Sequence, residues 1–171
     1  MKWKVRGRVL DRSLEEIIIH CAATRNGEPI GRPGRTMAEA IDEWHAARAF
    51  RRTDANRALA RHALRAVGYH YLIDVDGSCE SGRAPWEIGA HVKGRNARSL
   101  GICLAGTDKF TPEQWAELER LVRELMRCYG ITAVSGHNQY ANKLCPGFSV
   151  PAWLDGGMKP LDGHVWLPNG K

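Results

Sequence analysis

Nowhere in the 171 residues do the about 18 consecutive apolar side chains of a membrane-spanning helix run together, so no integral membrane segment is expected. The opening Met1-Lys2-Trp3-Lys4-Val5-Arg6 is basic but lacks the apolar core of a secretory leader, which predicts synthesis in the cytoplasm. The five cysteines (Cys21, Cys79, Cys103, Cys128, Cys145) are odd in number and contain no Cys-x-x-Cys pair. That pattern argues against a secreted disulfide framework and for a reducing compartment. A His-Glu-x-x-His sequence is missing, which removes the glutamate base of a zincin-type protease. No recognised DNA- or RNA-binding motif occurs, no internal repeat is found, and no shift in composition marks a second domain.

Lysine and arginine number 25 against 19 acidic residues, a net charge of +6. This balance suits a nucleic acid, an anionic membrane or a cell-wall polymer without choosing among them. Much of the excess sits in Arg48, Arg51, Arg52, Arg57, Arg61 and Arg65, a set that can also be the solvated face of a helix. With 43% hydrophobic residues the chain can bury one ordinary core.

Hydrophobic periodicity predicts a single α/β domain of strands and helices over residues 1–154 and a tail over residues 155–171 that is surface-bound or flexible. Residues 15–21, Glu-Glu-Ile-Ile-Ile-His-Cys, form a buried strand on which Cys21 points away from His20 into the core. Thr36 and Glu39 form a capping box opening a helix to about Phe50, whose apolar face includes Trp44. Asp54 caps a second helix through Ala66 with Leu59, His62, Ala63 and Ala66 as its stripe. A strand over residues 67–74 places Tyr69, Tyr71 and Ile73 on one face, and Asp76-Gly77 turns it into a hairpin. Residues 85–96 read as an exposed loop with binding character. Ser99 to Ala105 is a central strand, and Thr111-Pro112-Glu113-Gln114 opens a long amphipathic helix that stops at Gly130. A short strand from Ile131 to Ser135 follows.

Two of these strands end in histidine. His20 closes the run Ile17-Ile18-Ile19, and His137 follows the strand ending at Ser135. Cys145 lies eight residues beyond His137, with Lys143 two residues before it. Catalytic zinc takes three protein ligands and keeps a position for water, so His20, His137 and Cys145 are a candidate set for Zn2+ at one edge of the sheet. Each also has a plainer reading, as a polar strand end or a small buried thiol.

The blocks Ile19-His20-Cys21-Ala22-Ala23-Thr24, Val67-Gly68-Tyr69-His70-Tyr71, Gly89 through Asn96, Ser99 through Leu104, and Gly136-His137 through Cys145-Pro146-Gly147-Phe148 together resemble one family. It is the zinc-dependent N-acetylmuramoyl-L-alanine amidases of short phage endolysins and peptidoglycan recognition proteins. The likeness runs over about residues 13 to 154. It implies a central mixed β-sheet packed by helices, His20, His137 and Cys145 as zinc ligands, Tyr69 and Lys143 as catalytic residues, and hydrolysis of the bond between N-acetylmuramic acid and L-alanine for bacterial lysis. The Cys at 145 disfavours the cytosolic wall-recycling branch, which resembles this chain but generally carries Asp there. His91, Lys93, Arg95 and Asn96 are the candidates for gripping the glycan or acidic stem peptide of peptidoglycan. The resemblance leaves the role of Tyr69 open between orienting or deprotonating the zinc water and donating to the carbonyl; a core aromatic is its plainer reading. A monomer is expected, acting on the cell wall after membrane permeabilisation. A metal-free peptidoglycan-binding module and a basic nucleic-acid or regulatory partner protein are the competing readings, the first opposed by the intact ligand set and the second resting on charge alone.

Overall fold

In the computed structural model residues 12–168 are described, so the basic opening segment lies outside the described residues, as do residues 169–171. Five strands form one sheet in the order β3-β2-β4-β1-β5. Here β1 is Glu16–Cys21, β2 Tyr71–Ile73, β3 Cys79–Ser81, β4 Ser99–Leu104 and β5 Ala133–Gly136. Pairings β2–β4, β4–β1 and β1–β5 are parallel, and the β2–β3 hairpin is antiparallel. β1 and β4 are buried along their whole length, which is why both carry near-continuous apolar runs rather than alternating ones.

The two faces are covered by different helices. On one, α3 (Pro112–Tyr129) lays Trp115, Leu118, Leu121, Val122 and Leu125 against Ile17, Ile19, Leu100, Ile102 and Leu104, joined by Trp153 of α4 (Val150–Asp155). Each such side chain contributes roughly 1.5–3 kcal/mol by leaving water. α3 begins in the capping box of Thr111 and Gln114 and stops at Gly130, whose φ of 68° suits a residue without Cβ. On the other face α1 (Met37–Ala46) sets Met37, Ala38 and Ile41 over Leu72 and Cys103. The Thr36–Glu39 capping box is present, but α1 ends before Phe50 and Trp44 stays 40% exposed.

The second helix departs most from expectation. α2 spans only Asp54–Leu59, is capped by Thr53 rather than Asp54, and buries none of its residues. His62 and Ala63 are exposed, whereas Leu64 is buried. The reason is Arg52, which is no solvated cation: its guanidinium is buried and binds the carbonyls of Ala60, Arg61 and Leu64 and both oxygens of Glu87. Asp42 then accepts from the amides of Arg65, Ala66 and Val67. Carbonyls and amides that a helix would pair internally are thus taken by two side chains, and the segment wraps around Arg52 instead.

The strand expected over residues 67–74 is regular only at Tyr71–Ile73, so the expected alternation breaks: Tyr69 packs with the Leu72 cluster, away from Tyr71 and Ile73. The loop 85–96 is less open than its composition suggests, because Glu87, Gly89 and Val92 are buried. The segment beyond α4 binds the surface: Phe110 N–H donates to the His164 carbonyl and Trp166 N–H to the Phe110 carbonyl, each at 2.9 Å, while Met158 is buried.

Candidate metal centre and its pocket

Parallel pairing of β1 and β5 brings two distant histidines to the same end of the sheet. β1 presents His20 near its carboxyl end, and the chain leaving β5 turns at once into a short 3-10 segment, His137–Gln139. The loop that follows returns Cys145, whose carbonyl accepts from Asn138 N–H at 2.7 Å. His20 Nδ1 lies 3.1 Å from His137 Nδ1 and 3.7 Å from Cys145 Sγ, and one donor atom from each residue falls within 4.8 Å of the others. Tetrahedral zinc, with bonds of about 2.0–2.1 Å to nitrogen and 2.3 Å to sulfur, separates two nitrogens by about 3.3 Å and nitrogen from sulfur by about 3.6 Å. The donor set therefore fits in both element type and spacing.

Burial holds the His20 imidazole well below its ordinary pKa, with the nearby His91, His137 and Lys143 adding to the effect. His137 is lowered as well, by burial and then by the Lys143 charge. Both rings are thus neutral near pH 7, the form a metal requires. The Cys145 thiol is pushed up by a hydrogen bond with the free Cys21 side chain and by burial, a preference that a coordinated cation reverses because the ligand is the thiolate. Cys21 lies in the core, yet it is not remote from the site: its N–H donates to Cys145 Sγ at 3.2 Å.

Above the ligands is a pocket of about 220 Å³, lined by His137, Cys145, Tyr69 and Lys143 together with Ile41, Trp44, His45 and Arg48 of α1 and its C-terminal extension. Tyr69 packs its ring 5.1 Å from His20 and 5.2 Å from His45. Burial raises its phenol well above the ordinary value, as do the thiols of Cys103, Cys145 and Cys21, so it carries its proton at neutral pH. Lys143 is exposed at the rim. The α1 residues were not singled out as site residues from sequence. Their signal was the spacing of Ile41, His45 and Arg48, which puts the three on one helical face, and that face lines the pocket with Tyr69. Larger clefts exist, including one of 440 Å³ between β3 and α3, but no set of metal-ligating side chains converges in them among the described residues.

The four loop residues singled out for substrate do not gather in this pocket. His91 lies behind His20, its Nδ1 3.0 Å from His20 Nε2. Asn96 spends its side-chain oxygen on the amides of His91 and Val92. Arg95 stacks over Tyr140 at 4.3 Å and lies 3.8 Å from Glu16, at the opposite end of β1. Lys93 is exposed and lines no part of the pocket. His70 is internal, accepting at Nδ1 from Gly101 N–H at 2.9 Å.

Residues 11–148 match the family described as N-acetylmuramoyl-L-alanine amidase. The endolysin of Escherichia phage T7 is 32% identical over 151 residues, covering 84% of this chain and 87% of that one. The endolysin of Klebsiella phage KP32 is 32% identical over 148 residues, covering 82% and 85%. Among solved structures, the N-acetylmuramoyl-L-alanine amidase LysC from Clostridium intestinale superposes with a TM-score of 0.66 at 26% identity, covering 88% and 89%. Bumblebee peptidoglycan recognition protein SA shares the fold, with a TM-score of 0.62 at 21% identity over 91% and 84%.

Proposed function

Because this chain belongs to the N-acetylmuramoyl-L-alanine amidase family and is a peptidoglycan hydrolase of the endolysin type, we propose that it works as a zinc enzyme with His20, His137 and Cys145 as the ligands. The observation carrying this reading is the convergence of three donor atoms within 4.8 Å at the carboxyl ends of two parallel strands. The scissile bond is the amide between the lactyl group of N-acetylmuramic acid and L-alanine. Zinc held there supplies Lewis acidity toward the carbonyl and a water of lowered pKa.

The chain's own groups do the rest. Lys143, at the pocket rim, offers an ammonium to the oxyanion that develops on the carbonyl. Tyr69, protonated, serves as a hydrogen-bond donor rather than as a phenolate base. Trp44 and Arg48 present an apolar face and a cation to the substrate, while Lys93 is an exposed cation for outer contacts with the anionic wall. Among the described residues no helix is long and apolar enough to cross a membrane. Synthesis in the cytoplasm as a monomer, with access to the wall after membrane permeabilisation, completes the reading.

Digestion of purified peptidoglycan followed by mass spectrometry tests it. New free N-terminal alanine identifies the amide bond, and new reducing sugar ends would identify a glycosidase. Chelation should abolish the release and zinc restore it; release that survives complete metal removal rejects the metal mechanism.

A further inference from the structure

We propose that His91 and Ser99 form a positioning relay that fixes which nitrogen of His20 is offered to the metal. The inference rests on the reading of His20 as a ligand and adds a role for two residues outside the ligand set. His20 points Nδ1 at His137 and Cys145, and its Nε2 at His91 Nδ1, 3.0 Å away. A neutral imidazole carries one proton, so a ring that coordinates through Nδ1 must carry it on Nε2 and donate it to His91. His91 accepts at Nδ1, and its own proton therefore sits on Nε2, facing Ser99 Oγ at 3.4 Å. Ser99 Oγ has one proton as well and gives it to the Arg95 carbonyl at 2.9 Å. Every donor in the series has one acceptor, and the backbone carbonyl at its end cannot reverse it. The opposite direction would place a proton on His20 Nδ1, between the ligand atoms.

The His91 ring is also mechanically held. A Cβ at Gly101 would lie 2.8 Å from the ring and one at Gly89 2.5 Å, so the ring occupies the space two missing side chains leave. Asn96 clamps the backbone on either side through the His91 and Val92 amides, at 2.9 and 2.8 Å. Ser99, wholly buried, begins β4 directly beside β1. This geometry explains why His91 belongs to the site although it does not line the pocket.

Zinc affinity of the metal-free protein, titrated against a competing chromogenic chelator, tests the relay without reference to catalysis. His91→Leu should weaken zinc binding by about 10- to 100-fold, the usual effect of removing such a partner. His91→Gln, which can accept from His20 with its oxygen and donate to Ser99 with its amide, should stay within a few-fold of the parent. Nitrogen-15 shifts of the His20 ring in metal-free protein should report a proton on Nε2, and Ser99→Ala should mix the two tautomers. Folded His91→Leu that binds zinc as tightly as the parent overturns the relay, as does a His20 proton found on Nδ1. If His91→Leu does not fold, the Ser99→Ala spectrum decides. A parent protein that binds no zinc defeats the metal reading itself, whereas parent binding with indifferent variants defeats only the relay.

Discussion

Removing the carboxylate of Glu87 is the sharpest stability test of how the segment over residues 52–64 is held. The side chains of Arg52 and Glu87 are both 0% exposed, and Arg52 donates to the two Glu87 oxygens at 2.9 and 2.6 Å. Its remaining three N–H bonds go to the carbonyls of Ala60, Arg61 and Leu64, so all five donors are used. Glu87→Ala strands a buried guanidinium with two donors unmet and also frees the Ala84 N–H that donates to Glu87. Breaking such a pair by deleting one partner costs about 3–5 kcal/mol, about a fifth or more of the roughly 5–15 kcal/mol that usually holds a domain together. The midpoint of thermal unfolding should fall on the order of 10 °C. Glu87→Gln, which keeps the shape and one acceptor, should cost less, about 1.5–3 kcal/mol. Replacing both residues, Arg52→Met with Glu87→Leu, should not recover the parent stability, because three carbonyls then lose their donor. Urea unfolding followed by circular dichroism measures each variant. A loss below about 1 kcal/mol for Glu87→Ala at unchanged m would refute the assignment of a closed, dry ion pair.

Lys143→Ala should lower kcat by about 10²–10³ with little change in KM, the range for loss of one oxyanion donor; an equal rise in KM with kcat intact would make it a binding residue instead. Tyr69→Phe deletes only the hydroxyl, so kcat should fall while bound zinc per chain and the unfolding midpoint hold; unaltered turnover would return Tyr69 to the role of a packed aromatic. His45 accepts at Nδ1 from Gly68 N–H at 2.8 Å, and burial, then the charges of Arg48 and Arg83, lower its pKa to about 4. The unfolded ring, near 6.5, binds the proton first, so this stabilisation is complete above about pH 6.5 and is lost as pH falls toward 4, by at most roughly 3 kcal/mol. His45→Asn, with an amide oxygen for Gly68, should flatten that part of the urea stability profile between pH 7 and pH 4.5; an unchanged slope would place the titration elsewhere.

Short-range features were legible because their causes are short-range. Thr36 with Glu39, and Thr111 with Pro112 and Gln114, cap helices through atoms three residues apart, and Gly130 ends one by its own backbone freedom. The apolar runs that became β1 and β4 announced a buried strand and a central one, and each histidine at a strand end announced its place at the rim. Side chains whose partners lie far along the chain were not legible. Arg52 looked like one more exposed arginine until Glu87 closed on it, and the helix expected through Ala66 yielded to that pair and to Asp42. Cys21 read as core and is core, but only the returning loop put Cys145 against its amide.

Residue order alone determined which chemical groups this protein brings to its candidate metal centre, since the types of the donor side chains and the strand ends that carry them are local properties. Tertiary structure alone decided which nitrogen of His20 faces inward, that His91 stands behind it, and that Trp44, His45 and Arg48 wall the pocket. Those outcomes depend on the register of strands and on helix packing between residues up to 125 positions apart, where no sequence spacing constrains the angle of approach.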